Sequence, residues 1–249
     1  MVSCKVMDHS PESATSPWAE LASVWEELFP LRSERVDMCR SLGQSGQAVL
    51  DAGCGTGALV RALVAQGVDA YGFDLDPGFV ALAREQAGDD SGRVVLWDLR
   101  EISTVLPGKR FGLIVCLGQT FPHLLTDSAV RSFLAGASER LEPGGRLAIQ
   151  VVADRDEYPV RSLPSLQAGE IRLDRRRILT GPDRVVFELD VLGRTGKLGW
   201  KVEQRRWTPD ALAGFGIPVG LRSESVWADE SKRDWTGEEP GWILVLRKD

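Results

Sequence analysis

From residue 48 onward, short apolar runs alternate with segments that have apolar residues at helical spacing. The apolar runs predict strands over 48–51, 68–73, 93–97, 111–117 and 146–152. Amphipathic helices are predicted between them, over 58–66, 77–86 and 128–141. This alternation is typical of a mostly parallel sheet with helices on both faces, and it predicts an α/β fold.

Beyond residue 152 the pattern becomes strand-like alternation. Candidate strands cover 171–179, 184–192 and 197–207. The middle one places four apolar residues, from Val185 to Val191, on one face. We therefore predict a small antiparallel β insertion over about 155–207.

The C-terminal residues complete the predicted sheet. Thr208-Pro209 starts a short helix, and 219–227 with 242–247 predict a terminal antiparallel pair. Added to the five strands above, this pair gives a seven-stranded sheet.

The N-terminal residues predict helices after a loose leader over 1–15. Ser16-Pro17 has the character of an N-cap and a first-turn proline, and this helix ends at Phe29-Pro30. A second helix is predicted over 31–42. We accordingly divide the chain into N-terminal helices over 1–44 and one domain over 45–249.

Charge and composition narrow the class of partner. The 249 residues carry a net charge of −6 and are 43% hydrophobic, which is ordinary for a globular protein. The negative charge argues against nucleic acid or an anionic membrane as the main partner. A homodimer is an assembly that the sequence leaves open.

Metal, disulfide and membrane chemistry find little support in the sequence. The four cysteines form no CxxC pair, and there are only two histidines, so we predict no metal site and free thiols. No apolar run approaches the ~20 residues that span a bilayer, and the first residues lack a signal-peptide core. A cytoplasmic location is therefore expected.

The candidate chemistry begins with the glycine-rich turn from Asp51 to Gly57. It joins a strand to a helix, so its backbone N–H groups can approach a ligand closely. Dinucleotide sites share this feature, which makes it weak alone. Asp74 and Asp98 end the next two strands, where carboxylates can accept from a ribose and from an adenine amino group. All three acids therefore lie at the carboxyl edge of one parallel sheet, where open α/β folds bind ligands.

Taken in order, these motifs resemble those of the class I S-adenosylmethionine-dependent methyltransferases. The resemblance covers roughly residues 45–153, and the segments that carry it are Val49–Gly57, Gly72–Asp76, Asp98, Phe111–Leu117 and Leu141–Gly145. It implies a Rossmann-like sheet and S-adenosylmethionine as cofactor. Residues 116–124 resemble the corresponding motif of the glycine/sarcosine N-methyltransferase-like group of small-molecule enzymes, which also carries an antiparallel insertion after the fifth strand.

The resemblance also implies which residues contact the cofactor. They are Asp51, Gly53, Cys54, Gly55, Gly57, Asp74, Leu75, Asp98, Leu99 and Leu117. The glycines would line the methionyl and ribose portion, and Asp74 would hold the ribose. Asp98 and the Leu99 amide would form hydrogen bonds with the edge of the adenine, and Leu75 would pack on the adenine ring. The Leu117 carbonyl would accept from the methionyl ammonium.

Two residues after the fourth predicted strand are catalytic candidates. His123 could take a proton from the acceptor or orient it, or it could simply fix the loop by hydrogen bonding. Gln119 stands where the resembling group commonly has asparagine, so we expect it to position the substrate differently.

The substrate candidates lie outside the cofactor motifs. The stretch 155–206 contains twelve Lys or Arg against eight Asp or Glu, and Arg175 and Arg177 are candidates for binding a substrate carboxylate or phosphate. The alternatives are a solvated strand face paired with neighbouring acids, and RNA binding, for which interleaved aromatic residues are missing. Trp18 and Trp25 share a helical face, and they either form a lid over the cofactor or belong to the core.

The function predicted from these observations is methyl transfer to a small molecule, with an amine as the leading acceptor. An O-methyltransferase of a biosynthetic pathway is the alternative within the class. An NAD-dependent oxidoreductase shares the glycine loop, but the acidic loop and Asp98 fit a cofactor without pyrophosphate. A non-catalytic, methyltransferase-like binding module is the third alternative.

Overall fold

The computed structural model describes residues 4–6, 21–44, 46–152, 159–193 and 196–249. The strands in chain order are β1 (Cys4–Val6), β2 (Val49–Ala52), β3 (Ala70–Asp74), β4 (Val94–Leu96), β5 (Phe111–Cys116), β6 (Leu141–Val152), β7 (Val160–Ala168), β8 (Ile171–Gly181), β9 (Arg184–Gly193), β10 (Gly196–Arg205), β11 (Leu221–Trp227) and β12 (Gly241–Lys248). The α-helices are α1 (Trp25–Leu28), α2 (Ser33–Leu42), α3 (Ala58–Ala65), α4 (Pro77–Ala87), α5 (Asp127–Arg140) and α6 (Pro209–Gly216). Short 3-10 helices lie at Ala22–Val24, Gly88–Arg93, Leu99–Thr104, Phe121–His123 and Ile217–Val219.

The main sheet has seven strands in the order β11-β12-β6-β5-β2-β3-β4. The five strands from β6 to β4 pair in parallel, and β12 runs antiparallel to both β6 and β11. Helices α2, α3 and α4 cover one face, and α5 and α6 cover the other. The predicted α/β fold with a mostly parallel, seven-stranded, Rossmann-like sheet is confirmed. Its strand order reverses between β2 and β5, so a crevice opens at their carboxyl ends.

The sequence Pro143-Gly144-Gly145, which is typical of a turn, lies inside β6. Phe111 pairs with Leu141, whereas Leu113 pairs with Arg146, so the residues between these partners bulge out of the ladder. Gly144 has a φ of 73°, which a residue with a side chain rarely adopts.

A second sheet, formed by β1 and β7–β10, has the order β1-β10-β9-β8-β7. The predicted antiparallel insertion is thus present, with β7 as an additional strand. The expectation of a loose leader is wrong for Cys4–Val6, because these residues pair in parallel with Gly199–Lys201 of β10. The other leader positions lie outside the described residues.

The N-terminal helices join the two sheets. The predicted start at Ser16-Pro17 lies outside the described residues, and the described part is a 3-10 turn followed by the short helix α1. Leu21 and Leu28 are buried against apolar residues of β8, β9 and β10. The second predicted helix, α2, is present and packs on the main sheet through Val36 and Cys39. Among the described residues, no helix combines the length and apolar character that crossing a membrane requires.

Candidate cofactor and substrate site

The glycine loop after β2 is held to β3 by its own backbone. The N–H groups of Gly53 and Cys54 both donate to the Phe73 carbonyl, at 2.8 and 2.9 Å. Gly53, Gly55 and Gly57 all have positive φ, at 84°, 54° and 72°. The loop therefore turns sharply at the carboxyl end of β2, and glycine allows it to do so.

The three loop glycines face different surroundings. A Cβ at Gly53 would lie 2.3 Å from Cγ2 of Thr120, and one at Gly57 would lie 3.2 Å from Ala83. At Gly55 the only atom within 4 Å among those described would be Nε1 of Trp25, at 3.7 Å. Two of these glycines thus serve protein packing, and Gly55 presents the open side of the loop.

Asp74 ties the glycine loop to the end of β3. Its Oδ2 accepts from the Gly55 N–H at 2.8 Å, and its Oδ1 accepts from the Asp76 N–H at 3.0 Å. Burial raises the pKa of Asp74, and the hydrogen bonds from these backbone groups act in the opposite direction. Each carboxylate oxygen retains a further lone pair for a ligand hydroxyl. The predicted ribose position and the open side of the loop are therefore adjacent.

The next strand brings the predicted adenine contacts to the same edge. Asp98 is the N-cap of the 3-10 helix after β4, and its side chain also forms an ion pair with Arg100. Leu99 is half-buried, whereas the Leu75 side chain is 55% exposed at the carboxyl end of β3. An exposed apolar side chain such as Leu75, which directly follows Asp74, is suited to pack on the face of a purine ring.

Asp51 is a buried carboxylate close to a polar network around Arg35. Burial raises the pKa of Asp51 to about 7; Arg35 of α2 opposes this and Asp74 adds to it. Arg35 also donates to Glu230, which is 2% exposed, through Nε at 3.1 Å and Nη2 at 2.9 Å. Gln150 of β6 joins the network and accepts from the Gly118 N–H at 3.0 Å.

The raised pKa of Asp51 predicts a pH-dependent affinity for a cationic ligand. We expect the wild type to bind S-adenosylhomocysteine about 10-fold more tightly at pH 8 than at pH 6, because the ammonium group of the ligand favours the ionised form of Asp51. Replacing Asp51 by asparagine should remove this dependence on pH. Calorimetry over this range measures the change. An equally steep rise in D51N would show that another group titrates.

The same pKa fixes the sign of the effect on stability. A folded-state pKa of about 7, above the ordinary value of 3.8, means that the native state binds more protons between these values. The contribution of Asp51 to the free energy of unfolding therefore decreases as pH rises from about 4 to 7.

The loop after β5 contacts the glycine loop from the other side. The Leu117 carbonyl, predicted to accept from the ligand ammonium, already accepts from Thr120 Oγ1 at 2.9 Å and retains one lone pair. Gln119 has a φ of 69°, which is unusual for a residue with a side chain. Its Oε1 accepts from the Val152 N–H at 2.6 Å, so this residue fixes the end of β6 to the loop.

Gln204 of β10 connects both predicted catalytic residues, although the sequence did not single it out. Its Nε2 lies 3.4 Å from the Gln119 carbonyl and 3.2 Å from His123 Nε2, and its Oε1 lies 3.5 Å from Gln119 Nε2. These contacts are all satisfied when Gln204 Nε2 donates twice, which makes His123 Nε2 an acceptor. The proton of neutral His123 is then on Nδ1.

The N-terminal helix is bonded directly to the glycine loop. Glu26 of α1 accepts from Thr56 Oγ1 at 2.8 Å and from Arg61 Nη2 at 2.6 Å. The Trp25 ring lies 5.0 Å from Phe79 and 4.4 Å from Phe29 between ring centroids. Trp25 is therefore both packed with aromatic neighbours and placed over the loop, and Trp18 lies outside the described residues.

The arginines of the insertion separate by strand face. Arg172 pairs with Asp174, and Arg176 pairs with Glu188, both on the exposed face. Arg175 and Arg177 lie on the inner face, opposite Leu189 and Phe187 of β9. The alternative of a solvated strand face paired with acids therefore holds for Arg172 and Arg176. The two substrate candidates, Arg175 and Arg177, face the interior of the protein.

The structure therefore brings the predicted cofactor residues to one edge of the main sheet. His123 and Gln119 lie beside this edge, while Arg175 and Arg177 lie on the second sheet. Cys39, Cys54 and Cys116 are free thiols. In the part of the chain that the structure describes, no group of three or more His, Cys, Asp or Glu is placed to hold a metal ion.

Comparison with known proteins agrees with this geometry. Residues 49–145 match the model of a methyltransferase domain family. The chain is 31% identical over 165 residues to a ubiquinone biosynthesis O-methyltransferase of Xylella fastidiosa (strain M23), an alignment that covers 61% of this chain and 65% of that relative. It is 25% identical over 118 residues to the dTDP-3-amino-3,4,6-trideoxy-alpha-D-glucopyranose N,N-dimethyltransferase of Streptomyces venezuelae, covering 47% and 48% of the two chains.

The whole fold has a counterpart among solved structures. The CcbJ methyltransferase of Streptomyces caelestis superposes with a TM-score of 0.79 at 20% identity, over 92% of this chain and 96% of that one. Residues 49–145 are thus similar to a methyltransferase domain family, and the chain as a whole has the fold of solved methyltransferases.

Proposed function

We propose that the protein transfers a methyl group from S-adenosylmethionine to an amine nitrogen of a small molecule. The observation that carries the proposal is the carboxyl edge of β2, β3 and β4, where Asp51, Asp74 and Asp98 lie in or just after the three strands and Asp74 accepts from the Gly55 N–H. This set of acceptors suits an ammonium, a ribose and an adenine amino group, and it suits a pyrophosphate poorly because like charges repel.

The residues of the site contribute binding and exclusion of water. S-adenosylmethionine supplies an already activated methyl group when bound, so the protein has to align the acceptor with it. The loop carrying Gln119 would hold the acceptor from the main sheet. The inner face of β8–β10 would cover it and keep bulk water out.

The state of His123 supports an amine over a hydroxyl acceptor. In the tautomer that satisfies all contacts of Gln204, its Nε2 accepts from Gln204 Nε2, so this lone pair is engaged in a bond between the loop after β5 and the second sheet. A neutral amine needs no general base during attack, whereas a hydroxyl more often does. We propose that His123 and Gln119 position the substrate, with Gln119 doing so differently from the asparagine that the glycine/sarcosine N-methyltransferase-like group commonly has at this place.

Direct assays test the function. We expect S-adenosylhomocysteine to bind and NAD not to bind in calorimetry, and tritium from the labelled methyl group to reach amines in a panel of amines and phenols. Transfer only to phenols would establish the O-methyltransferase alternative, for which a ubiquinone biosynthesis O-methyltransferase is a relative. Binding without transfer to any acceptor would favour a non-catalytic module.

Replacing His123 by asparagine separates the two catalytic roles. If His123 positions the substrate, kcat in H123N should fall less than about 10-fold and the pH profile should keep its shape. If His123 is a general base, kcat should fall by about 100-fold or more and the profile should lose its rise near neutral pH. The measurement is kcat and KM between pH 6 and 9.

The N-terminal helices would serve as a lid in this proposal. Glu26 accepts from Thr56 of the glycine loop, and Trp25 lies beside the open side of Gly55, so the lid would already be seated on the loop. The division into residues 1–44 and 45–249 and the expected cytoplasmic location belong to the same proposal.

A further inference from the structure

We propose that Arg175 binds an anionic group of the methyl acceptor, so that the substrate is an amine carrying a carboxylate or a phosphate. This inference rests on the function proposed above and specifies the class of acceptor.

Arg175 lies on the face of the second sheet that packs against the N-terminal helices. It lies in β8 opposite Leu189, which in turn pairs with Trp200 of β10, and both of these neighbours are buried. Because cross-strand partners share a face, Arg175 is on the inner side of the second sheet. Its guanidinium lies 6.0 Å from the centre of the Phe29 ring.

Two aromatic rings connect this arginine to the cofactor loop. The Phe29 ring lies 4.4 Å from that of Trp25, and Trp25 Nε1 is the atom nearest to the open side of Gly55. A small acceptor extending from the loop along these rings would meet the guanidinium at its far end.

The charge of Arg175 has no counter-ion among the described residues, where its one hydrogen bond runs from Nη2 to the Pro164 carbonyl at 3.0 Å. Nε is buried and has no hydrogen-bond acceptor in the same part of the chain. Burial lowers the pKa of Arg175. A cation in such a place is stabilised when an anion binds, because burial of an unpaired charge is unfavourable.

The other arginines on the exposed face of β8 are paired with acidic side chains. Arg176 donates to Glu188 through Nε at 2.8 Å, and Arg172 donates to Asp174 at 2.8 Å. Both pairs are on the exposed face, whereas the inner position 175 faces Leu163 and Leu189 across the sheet. The contrast is therefore between paired outer cations and an inner cation with apolar cross-strand neighbours.

A structural role for Arg175 would explain only part of its surroundings. Pro164 lies where the pairing of β7 with β8 shifts between Leu163 and Leu166, so its carbonyl has no backbone partner across the strands. Arg175 donates to this carbonyl instead. That bond uses one of five N–H donors of the guanidinium. The remaining donors have the fork geometry that binds a carboxylate or a phosphate through two parallel hydrogen bonds.

Anion binding can be tested without knowing the substrate. The S-adenosylhomocysteine complex of the full chain is titrated with inorganic phosphate or sodium acetate, at ionic strength matched with sodium chloride, and the melting temperature is recorded. Three variants are compared with the wild type: R175M, R175K, which keeps the charge, and R176M, which removes a cation from the outer face of the same strand.

We expect phosphate, acetate or both to raise the melting temperature of the wild type and R176M, with little or no rise in R175M and an intermediate rise in R175K. Phosphate and acetate act as separate arms, and the larger response identifies the anionic group. An equal response in R175M and the wild type, or no response in any protein, would overturn the proposal. Loss of S-adenosylhomocysteine binding in the wild type would instead contradict the proposed function.

Turnover gives a second readout with matched acceptors. Glycine is compared with glycinamide, and glucosamine 6-phosphate with glucosamine, in the tritium-transfer assay. We expect R175M to raise KM for the methylated anionic acceptor by about 10- to 100-fold, the loss of charged hydrogen bonds, and to change kcat little. Preference for the neutral member of each pair in the wild type would contradict the inference.

Discussion

Replacing Asp74 by asparagine is expected to weaken S-adenosylhomocysteine binding by about 30- to 150-fold, equivalent to about 2–3 kcal/mol. Both oxygens of Asp74 already accept backbone N–H groups, from Gly55 and from Asp76. An amide keeps one acceptor and turns an NH2 group toward the other N–H, so the loop loses a bond at the place where the ribose would bind. Calorimetry at pH 8 measures the affinity, and thermal unfolding verifies that D74N is folded.

The same strand offers a matched control at its other end. Asp69 precedes β3 and forms an ion pair with Arg93 on the surface, so D69N makes the same chemical change away from the site. We expect the affinity of D69N to stay within about twofold of the wild type, since exposed ion pairs contribute little. If D74N also bound within threefold of the wild type while folded, the ribose would have to lie elsewhere.

The main sheet could be predicted because its central strands, β2 and β5, are buried on both faces. Apolar runs such as 111–117 leave a strong signal that does not depend on distant contacts, and the acids at the strand ends follow from the same pattern. The common edge of Asp51, Asp74 and Asp98 is therefore a consequence of parallel pairing, which the alternation with helices already implies.

The second sheet was harder to predict because its strands are only partly buried. Residues 160–168 are mostly exposed and include Pro164, so β7 lacks the alternation that identified β9. β1 has three residues, too few for a periodic signal, and it exists because the edge strand β10 offers pairing partners. Neither β1 nor β7 can therefore be recognised from the hydrophobic pattern of its own residues.

The site residues that sequence reasoning missed depend on docking between distant segments. Gln204 meets His123 across 81 residues of chain, and Glu26 meets Arg61 across 35 residues. No local spacing indicates either contact. In contrast to these contacts, the separation of the arginines could have been predicted from the sequence. Period-two alternation along β8 places residues 175 and 177 on one face and residues 172 and 176 on the other. That signal was present in the sequence, although a count of charges did not use it.

Replacing Gly53 by alanine should destabilise the fold by about 2–5 kcal/mol, even though alanine is the smallest side chain available. The φ of 84° at Gly53 is strained for any L-residue, and its Cβ would lie 2.3 Å from Thr120 Cγ2. For a chain of this length we expect the melting temperature to fall by roughly 4–20 °C. Thermal unfolding of the ligand-free protein measures the effect apart from any loss of cofactor contacts.

Three further variants separate backbone strain from the clash with Thr120: G67A, T120S and the double variant G53A/T120S. Gly67 has a φ of 78° and nothing within 4 Å of its Cβ position, so G67A should show only the strain of about 1–2 kcal/mol. The double variant G53A/T120S removes Cγ2 and keeps the hydroxyl that donates to Leu117, so it should recover part of the loss relative to T120S alone. Equal destabilisation in G53A and G67A, with no recovery in the double variant, would show that Gly53 is required for its backbone conformation and not for its packing on the loop after β5.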